Sequence, residues 1–117
     1  MLFRSEARSF IAWLGRQGVA PGTQVVCYDA GPGAMASRLW WMLRWLGHDA
    51  VAVLDGGWSE WAAKQLPVSA ERPPRRMARF TAHPRRYTVD VADVVENLNS
   101  RRFLVVDARG QIGRAHV

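Results

Sequence analysis

A single cysteine, Cys27, and a single lysine, Lys64, occur in 117 residues. One cysteine excludes an internal disulfide and any zinc cluster built on cysteines, and it suits a reducing compartment, so a cytoplasmic location is expected. No apolar run approaches the roughly 20 residues of a membrane-spanning helix. The N-terminal MLFRSEARS lacks the apolar core of a signal peptide, and no membrane partner is expected. No Gly-Lys-Ser/Thr is present, so the lysine a Walker phosphate loop needs is missing. Acidic residues are sparse where basic ones are dense. Between Pro67 and Thr88 six arginines accompany one glutamate, and this stretch supplies +5 of the formal net charge of +6. The rest of the chain is nearly neutral. A surplus so local, and carried by arginine rather than lysine, reads as the mark of a GC-rich genome more than of a nucleic-acid surface.

What is present is a half-apolar chain with six tryptophans, enough to bury a core within the length of one modest domain. Ser5 fits a helix cap, with Phe10, Ile11 and Leu14 as the apolar stripe that follows. Gly18 suits a left-handed helix end and Pro21-Gly22 a type II turn. Gln24 to Tyr28 reads as a buried strand without a polar face, the pattern of a parallel sheet covered by helices on both sides. After the loop Asp29 to Gly33, residues Ala34 to Leu46 read as a helix with Met35, Leu39, Met42, Leu43 and Leu46 on one stripe. Ala50 to Leu54 is the next strand, Asp55-Gly56-Gly57 a sharp reversal, and Trp58 to Gln65 a short helix. The order β-loop-α-β-loop-α defines an α/β class with a parallel sheet.

From Pro67 to Thr88, four prolines and six arginines without apolar periodicity describe an extended linker. Beyond it, Asp90 and Asp93 form a capping pattern for a helix with Val91, Val94, Val95 and Leu98 on its stripe. Phe103 to Val106 reads as another buried strand. Two strands are too few to cover the helices of the first part, so the chain reads as the back half of one domain (1–66), a linker (67–88) and the opening of a second domain (89–110). Residues 111–117, QIGRAHV, back-translate to the start of a common sequencing adapter apart from the first base, and are expected to be translated adapter.

The loop at Asp29 admits two chemical readings. Gly31, Gly33 and Ala36 fit G-x-G-x-x-A between strand and helix, and Asp55 follows Ala36 by 19 residues, close to the place of a ribose-binding acid in a dinucleotide site. Against that, Asp29 lies where its carboxylate would face the pyrophosphate, and Asp55 runs straight into a tight turn.

The second reading comes from resemblance. V-V-C-Y-D, the small-residue loop, S-R-L-W-W-M-L-R-W-L-G-H and V-A-V-L-D-G-G-W-S-E-W together resemble the rhodanese family over Ser5 to Pro67, and within it the first domain of tandem-domain sulfurtransferases. Phe103 to Arg109 resembles the first strand of the second rhodanese domain. The resemblance implies a rhodanese-like parallel sheet, here incomplete, and a chemistry that needs no cofactor. A cysteine thiolate takes sulfane sulfur from a small anionic donor, thiosulfate or 3-mercaptopyruvate, and passes it as a persulfide to cyanide or a thiol. In active domains of the family that cysteine occupies the position held here by Asp29. The resemblance therefore implies a non-catalytic half whose working cysteine lies in a second domain, its main partner, and a fragment inactive by itself. A non-catalytic binding or regulatory rhodanese module is the alternative.

Individual residues follow from these readings. Cys27, mid-strand, is expected in the core. Asp29 is expected to accept N–H bonds at the helix start rather than to touch substrate, with Gly31 and Gly33 shaping the loop. Asp55 is expected to hold the Gly56-Gly57 turn, and His48 to lie in the turn after the helix. Arg38 reaches either a domain–domain cleft or solvent. Asp107 and Arg109, at the end of a strand, are candidates for the same cleft. No metal-ligand spacing is present. The tryptophan surplus of the second helix suits a buried interface between two rhodanese domains.

Overall fold

The computed structural model describes residues 4–109. The expectation for residues 111–117 lies outside them. Two compact units divide between Tyr87 and Thr88.

The first unit begins with helix α1, Arg4–Arg16, so Ser5 falls inside the helix rather than at its cap. Strand β1, Val25–Cys27, is followed by helix α2, Ala34–Trp45, strand β2, Val51–Val53, and helix α3, Gly57–Ala63. The strands pair in parallel, with Val25 opposite Val51 and Cys27 opposite Val53. Both α1 and α2 end in the 6→1 and 5→2 hydrogen bonds of a Schellman motif: Val19 N–H to Leu14 O (3.1 Å) with Gly18 N–H to Gly15 O (3.0 Å), and His48 N–H to Leu43 O (2.9 Å) with Gly47 N–H to Arg44 O (3.0 Å). The expected type II turn closes through Thr23 N–H to Ala20 O (3.1 Å).

Leu14, Val19, Cys27, Ala36, Leu43, Leu46, Val51 and Phe80 form the core. The stripe of α2 differs from the expected one. Ala36, Leu43 and Leu46 are buried, but Met35 is 71% exposed. At 100° per residue, Met35 and Met42 stand on the flank of the arc centred on Leu43. The sheet also differs from expectation. One face, with Cys27 and Val51, packs on the core, whereas Val26 and Tyr28 on the other face are more than half exposed. Among the described residues nothing covers that face, and it opens on an apolar groove of about 710 Å³ lined by Val26, Tyr28, Trp58, Trp61 and Val68.

The Pro/Arg-rich segment does contain no helix or strand, yet it is not a free spacer. Phe80 is 6% exposed. Ala78 N–H donates to Gly15 O (2.9 Å), His83 N–H to Leu46 O (2.8 Å) and Arg85 N–H to Trp45 O (2.7 Å). Residues 77–87 thus form a strap fastened to the ends of α1 and α2. Gly15 permits this closeness, since a Cβ there would stand 2.6 Å from Ala78 O.

The second unit holds helix α4, Val91–Ser100, opened by a full capping box between Asp90 and Asp93. Its apolar stripe is largely exposed, as are Leu104, Val105 and Val106. The expected strand Phe103–Val106 is absent among the described residues. A strand needs a neighbour to satisfy its backbone groups, and among the described residues of this unit none is present. Asn97 instead bonds both the N–H and the carbonyl of Phe103, at 3.0 and 2.8 Å. No helix among the described residues is long and apolar enough to cross a membrane.

Candidate functional site

The site is built where α/β folds place theirs, at the carboxyl ends of the parallel strands. β1 delivers Asp29 and β2 delivers Asp55, and the loops after them meet. Trp58 N–H donates to the Asp29 carbonyl at 3.0 Å, and Gly57 packs so closely that a Cβ would stand 2.9 Å from the same oxygen. A small cavity of about 240 Å³ lies between the loops, lined by Asp29, Gly31, Gly33, Asp55, Gly56 and Gly57 among others.

The Asp29 side chain fills the loop it begins. Its Oδ1 accepts from Gly31 N–H (3.0 Å) and Gly33 N–H (3.1 Å), and its Oδ2 from Ala36 N–H (3.0 Å). Gly33, the N-cap residue of α2, has a left-handed φ of 98° and offers no side chain. Asp29 supplies that cap from four residues upstream. The bond from Ala36 N–H, with those from Gly31 and Gly33, holds its carboxyl below the usual carboxylate range against partial burial. The helix N-terminus and the curled backbone amides are an anion nest, and the chain's own carboxylate is the anion.

This arrangement answers the dinucleotide reading. The amides of Gly31, Gly33 and Ala36 that would hold a pyrophosphate already hold Asp29. Asp55 is exposed, and the turn it was expected to hold is closed by backbone instead, through Gly57 N–H to Leu54 O at 3.1 Å. Arg38 is exposed on α2 and outside the cavity lining. Asp107 and Arg109, in the second unit, pair with each other, Nη2 to Oδ2 at 2.7 Å and Nε to both oxygens. Cys27 is 3% exposed, and burial pushes its thiol up, away from the reactive thiolate. Among the described residues no cluster of His, Cys, Asp and Glu is placed to hold a metal ion.

One cluster was not read from the sequence. His48 is buried, its Nε2 donating to Thr23 O (2.7 Å), with its ring against Phe80 at 5.6 Å. Beside it Asp49 receives both ends of the Arg85 guanidinium, at 2.6 and 2.7 Å. That pairing, more than any other cause, lowers the Asp49 carboxyl. The one available signal was Phe80 and Ala82, two apolar residues alternating with polar ones inside the arginine-rich stretch.

A parallel α/β unit with a strand-end loop folded around one point, followed by a Gly-Gly turn against it, defines the class. Residues 4–64 match the rhodanese-like domain family, and the chain belongs to that family. The chain is 42% identical over 106 residues to the 3-mercaptopyruvate sulfurtransferase of Homo sapiens, an alignment covering 88% of this chain and 36% of that one. It is 39% identical over 114 residues to the thiosulfate sulfurtransferase of Rattus norvegicus, covering 95% and 38%. It is 38% identical over 96 residues to a probable 3-mercaptopyruvate sulfurtransferase of Pseudomonas aeruginosa, covering 80% and 34%. The chain thus spans little more than a third of the length of these relatives.

Proposed function

We propose that this chain contributes the non-catalytic rhodanese unit, and the opening of a second, to a sulfurtransferase. That enzyme moves sulfane sulfur from thiosulfate or 3-mercaptopyruvate to cyanide or a thiol. The donor's sulfane sulfur bonds to a cysteine thiolate as its old bond breaks. For thiosulfate the leaving group is sulfite, which departs with the bonding pair; for 3-mercaptopyruvate it is the enolate of pyruvate, which keeps the C–S pair and takes up the proton of the transferred thiol. The acceptor then takes the terminal sulfur and regenerates the thiolate. The first unit serves this chemistry as scaffold.

The observation that carries the reading is Asp29. It stands where the resemblance places the nucleophile, and its carboxylate occupies the amides that would stabilise a thiolate or an anionic donor. A carboxylate has no sulfane-sulfur chemistry, and in that nest it repels a second anion. Cys27 does not replace it, being buried with a raised thiol pKa. The sulfurtransferase names of relatives around 40% identical support the reaction class.

The test is a thiosulfate:cyanide assay on the 117-residue chain beside its Cys27→Ser variant. No turnover above background is expected from either. Turnover lost in the variant would make Cys27 the nucleophile and overturn the scaffold role.

A further inference from the structure

We infer that residues 77–87 are a latch: a helix-capping strap that seats and releases as one unit, and thereby sets the length of free chain between the first unit and the second.

The last four carbonyls of an α-helix lack partners within it. At the end of α2 the Schellman bonds satisfy Leu43 and Arg44, and the strap satisfies the next two. Arg85 N–H caps Trp45 O (2.7 Å) and His83 N–H caps Leu46 O (2.8 Å). The Arg85 guanidinium adds a bond to Arg44 O (3.1 Å), a cation at the negative end of the helix dipole. At the end of α1, Ala78 N–H caps Gly15 O (2.9 Å). Between these caps Phe80 enters the core against His48. The Asp49–Arg85 pair locks the far side, and Arg85 also bonds the Tyr87 hydroxyl (3.2 Å), whose ring meets Trp41.

The strap has no internal helix or strand, so contacts with the rest of the first unit, these among them, hold it. They lie close together in sequence, and each presupposes its neighbours. Phe80 seats only where the Ala78 and His83 bonds bring the backbone against α1 and α2. Such a segment opens cooperatively and at lower free energy than the core beneath it. On the N-terminal side, residues 68–77 are exposed. On the C-terminal side, two residues, Thr88 and Val89, separate Tyr87 from the N-cap Asp90. Seated, the strap leaves a two-residue tether. Released, it gives the chain from Pro67 to Val89, with an extended reach on the order of 75 Å at about 3.3 Å per residue. Lengthening a tether in this way lowers the effective concentration of one unit at the other.

The test uses the full 117-residue chain and two variants, Phe80→Ala and Arg85→Ala, the second removing the Asp49 ion pair and the bonds to Arg44 O and Tyr87 without opening a cavity in the core. Amide hydrogen exchange is followed at Ala78, His83, Arg85 and, as a core reference, Leu43. In the parent the three strap amides should share one opening. In the parent that opening should lie well below the one that exposes Leu43. Each variant should lower the protection of the three strap amides together, by at least about tenfold, with the helix content of the first unit retained by far-ultraviolet circular dichroism. Nitrogen-15 relaxation of residues 88–100 should report faster reorientation in both variants. Strap amides exchanging independently, Leu43 exchanging together with the strap amides in the parent, or unchanged relaxation of residues 88–100 would each overturn the latch.

Discussion

At Asp29 one carboxylate does the work usually divided between a helix cap and a bound anion. Its oxygens take three backbone N–H groups, and its pKa is lowered, first by the bond from Ala36. A carboxyl depressed in the folded state stabilises the fold above its unfolded pKa, about 3.9 for Asp. That contribution is lost as pH falls through the lower folded-state value. Asp29→Asn keeps one acceptor but turns an NH₂ donor toward the loop amides. The variant should unfold at lower denaturant than the parent at neutral pH, by a constant margin down to about pH 5. The margin should then shrink in more acid solution and vanish below the folded-state pKa. Urea unfolding midpoints across this range check it. A margin that persists in acid would mean that shape, not charge, is what Asp29 provides. Gln65 is a second residue with an identifiable strain. It sits at φ 53° just past α3, where Leu66 N–H donates to Trp61 O at 3.2 Å in the same motif that closes α1 and α2 with glycine. A side chain there pays a left-handed cost. Gln65→Gly should therefore stabilise the unit by about 0.5–1 kcal/mol net of the added unfolded-state entropy, measured by the same unfolding curves.

Among the elements, those specified by local chemistry were legible in the sequence. Gly18 and Gly47 close α1 and α2, Asp90 and Asp93 open α4 as a capping box, and the apolar runs at Val25 and Val51 pair as parallel strands. Asp29 was legible as a loop-capping acid because its geometry needs only the next seven residues. What failed depends on distant partners. Met35 fits the helical period but flanks the arc that meets the sheet. Phe103–Val106 has the composition of a strand but no neighbour among the described residues of its unit to pair with. The strap is the least legible part of the first unit. Its prolines and arginines are those of a spacer, while its fixation comes from helix-end carbonyls far away in sequence. Gly15 makes this testable. In an isolated helix Gly→Ala is favourable by about 1 kcal/mol, but here the added methyl would stand 2.6 Å from Ala78 O. Gly15→Ala should therefore raise the rate of tryptic cleavage after Arg79 and Arg86, inside the strap, by about an order of magnitude through strap opening. Far-ultraviolet circular dichroism should show the helix content retained. Unchanged cleavage would mean that the strap accommodates the methyl without leaving its seat.

For the whole molecule, the decisive quantity is how little core the first unit has. Among the described residues eight hydrophobic side chains are buried, and only Leu43 and Leu46 are fully so. One face of a two-stranded sheet stays open, and a small domain is stable by only about 5–15 kcal/mol even when its core is complete. Removing a fully buried leucine side chain costs about 2–5 kcal/mol, the lower end where neighbours relax into the space. At Leu43 relaxation is restricted. The residue lies at the centre of the α2 arc, its carbonyl receives the His48 amide, and Phe80 of the strap packs in the same cluster. Leu43→Ala should thus cost the upper half of that range, release the strap and leave the first unit substantially unfolded at 37 °C. Leu43→Met, which conserves volume, should cost less than about 1.5 kcal/mol. Urea unfolding followed by tryptophan fluorescence distinguishes the outcomes, since all six tryptophans lie in the first unit. Equal losses in the two variants would place the stability of the unit elsewhere than in the packing around Leu43.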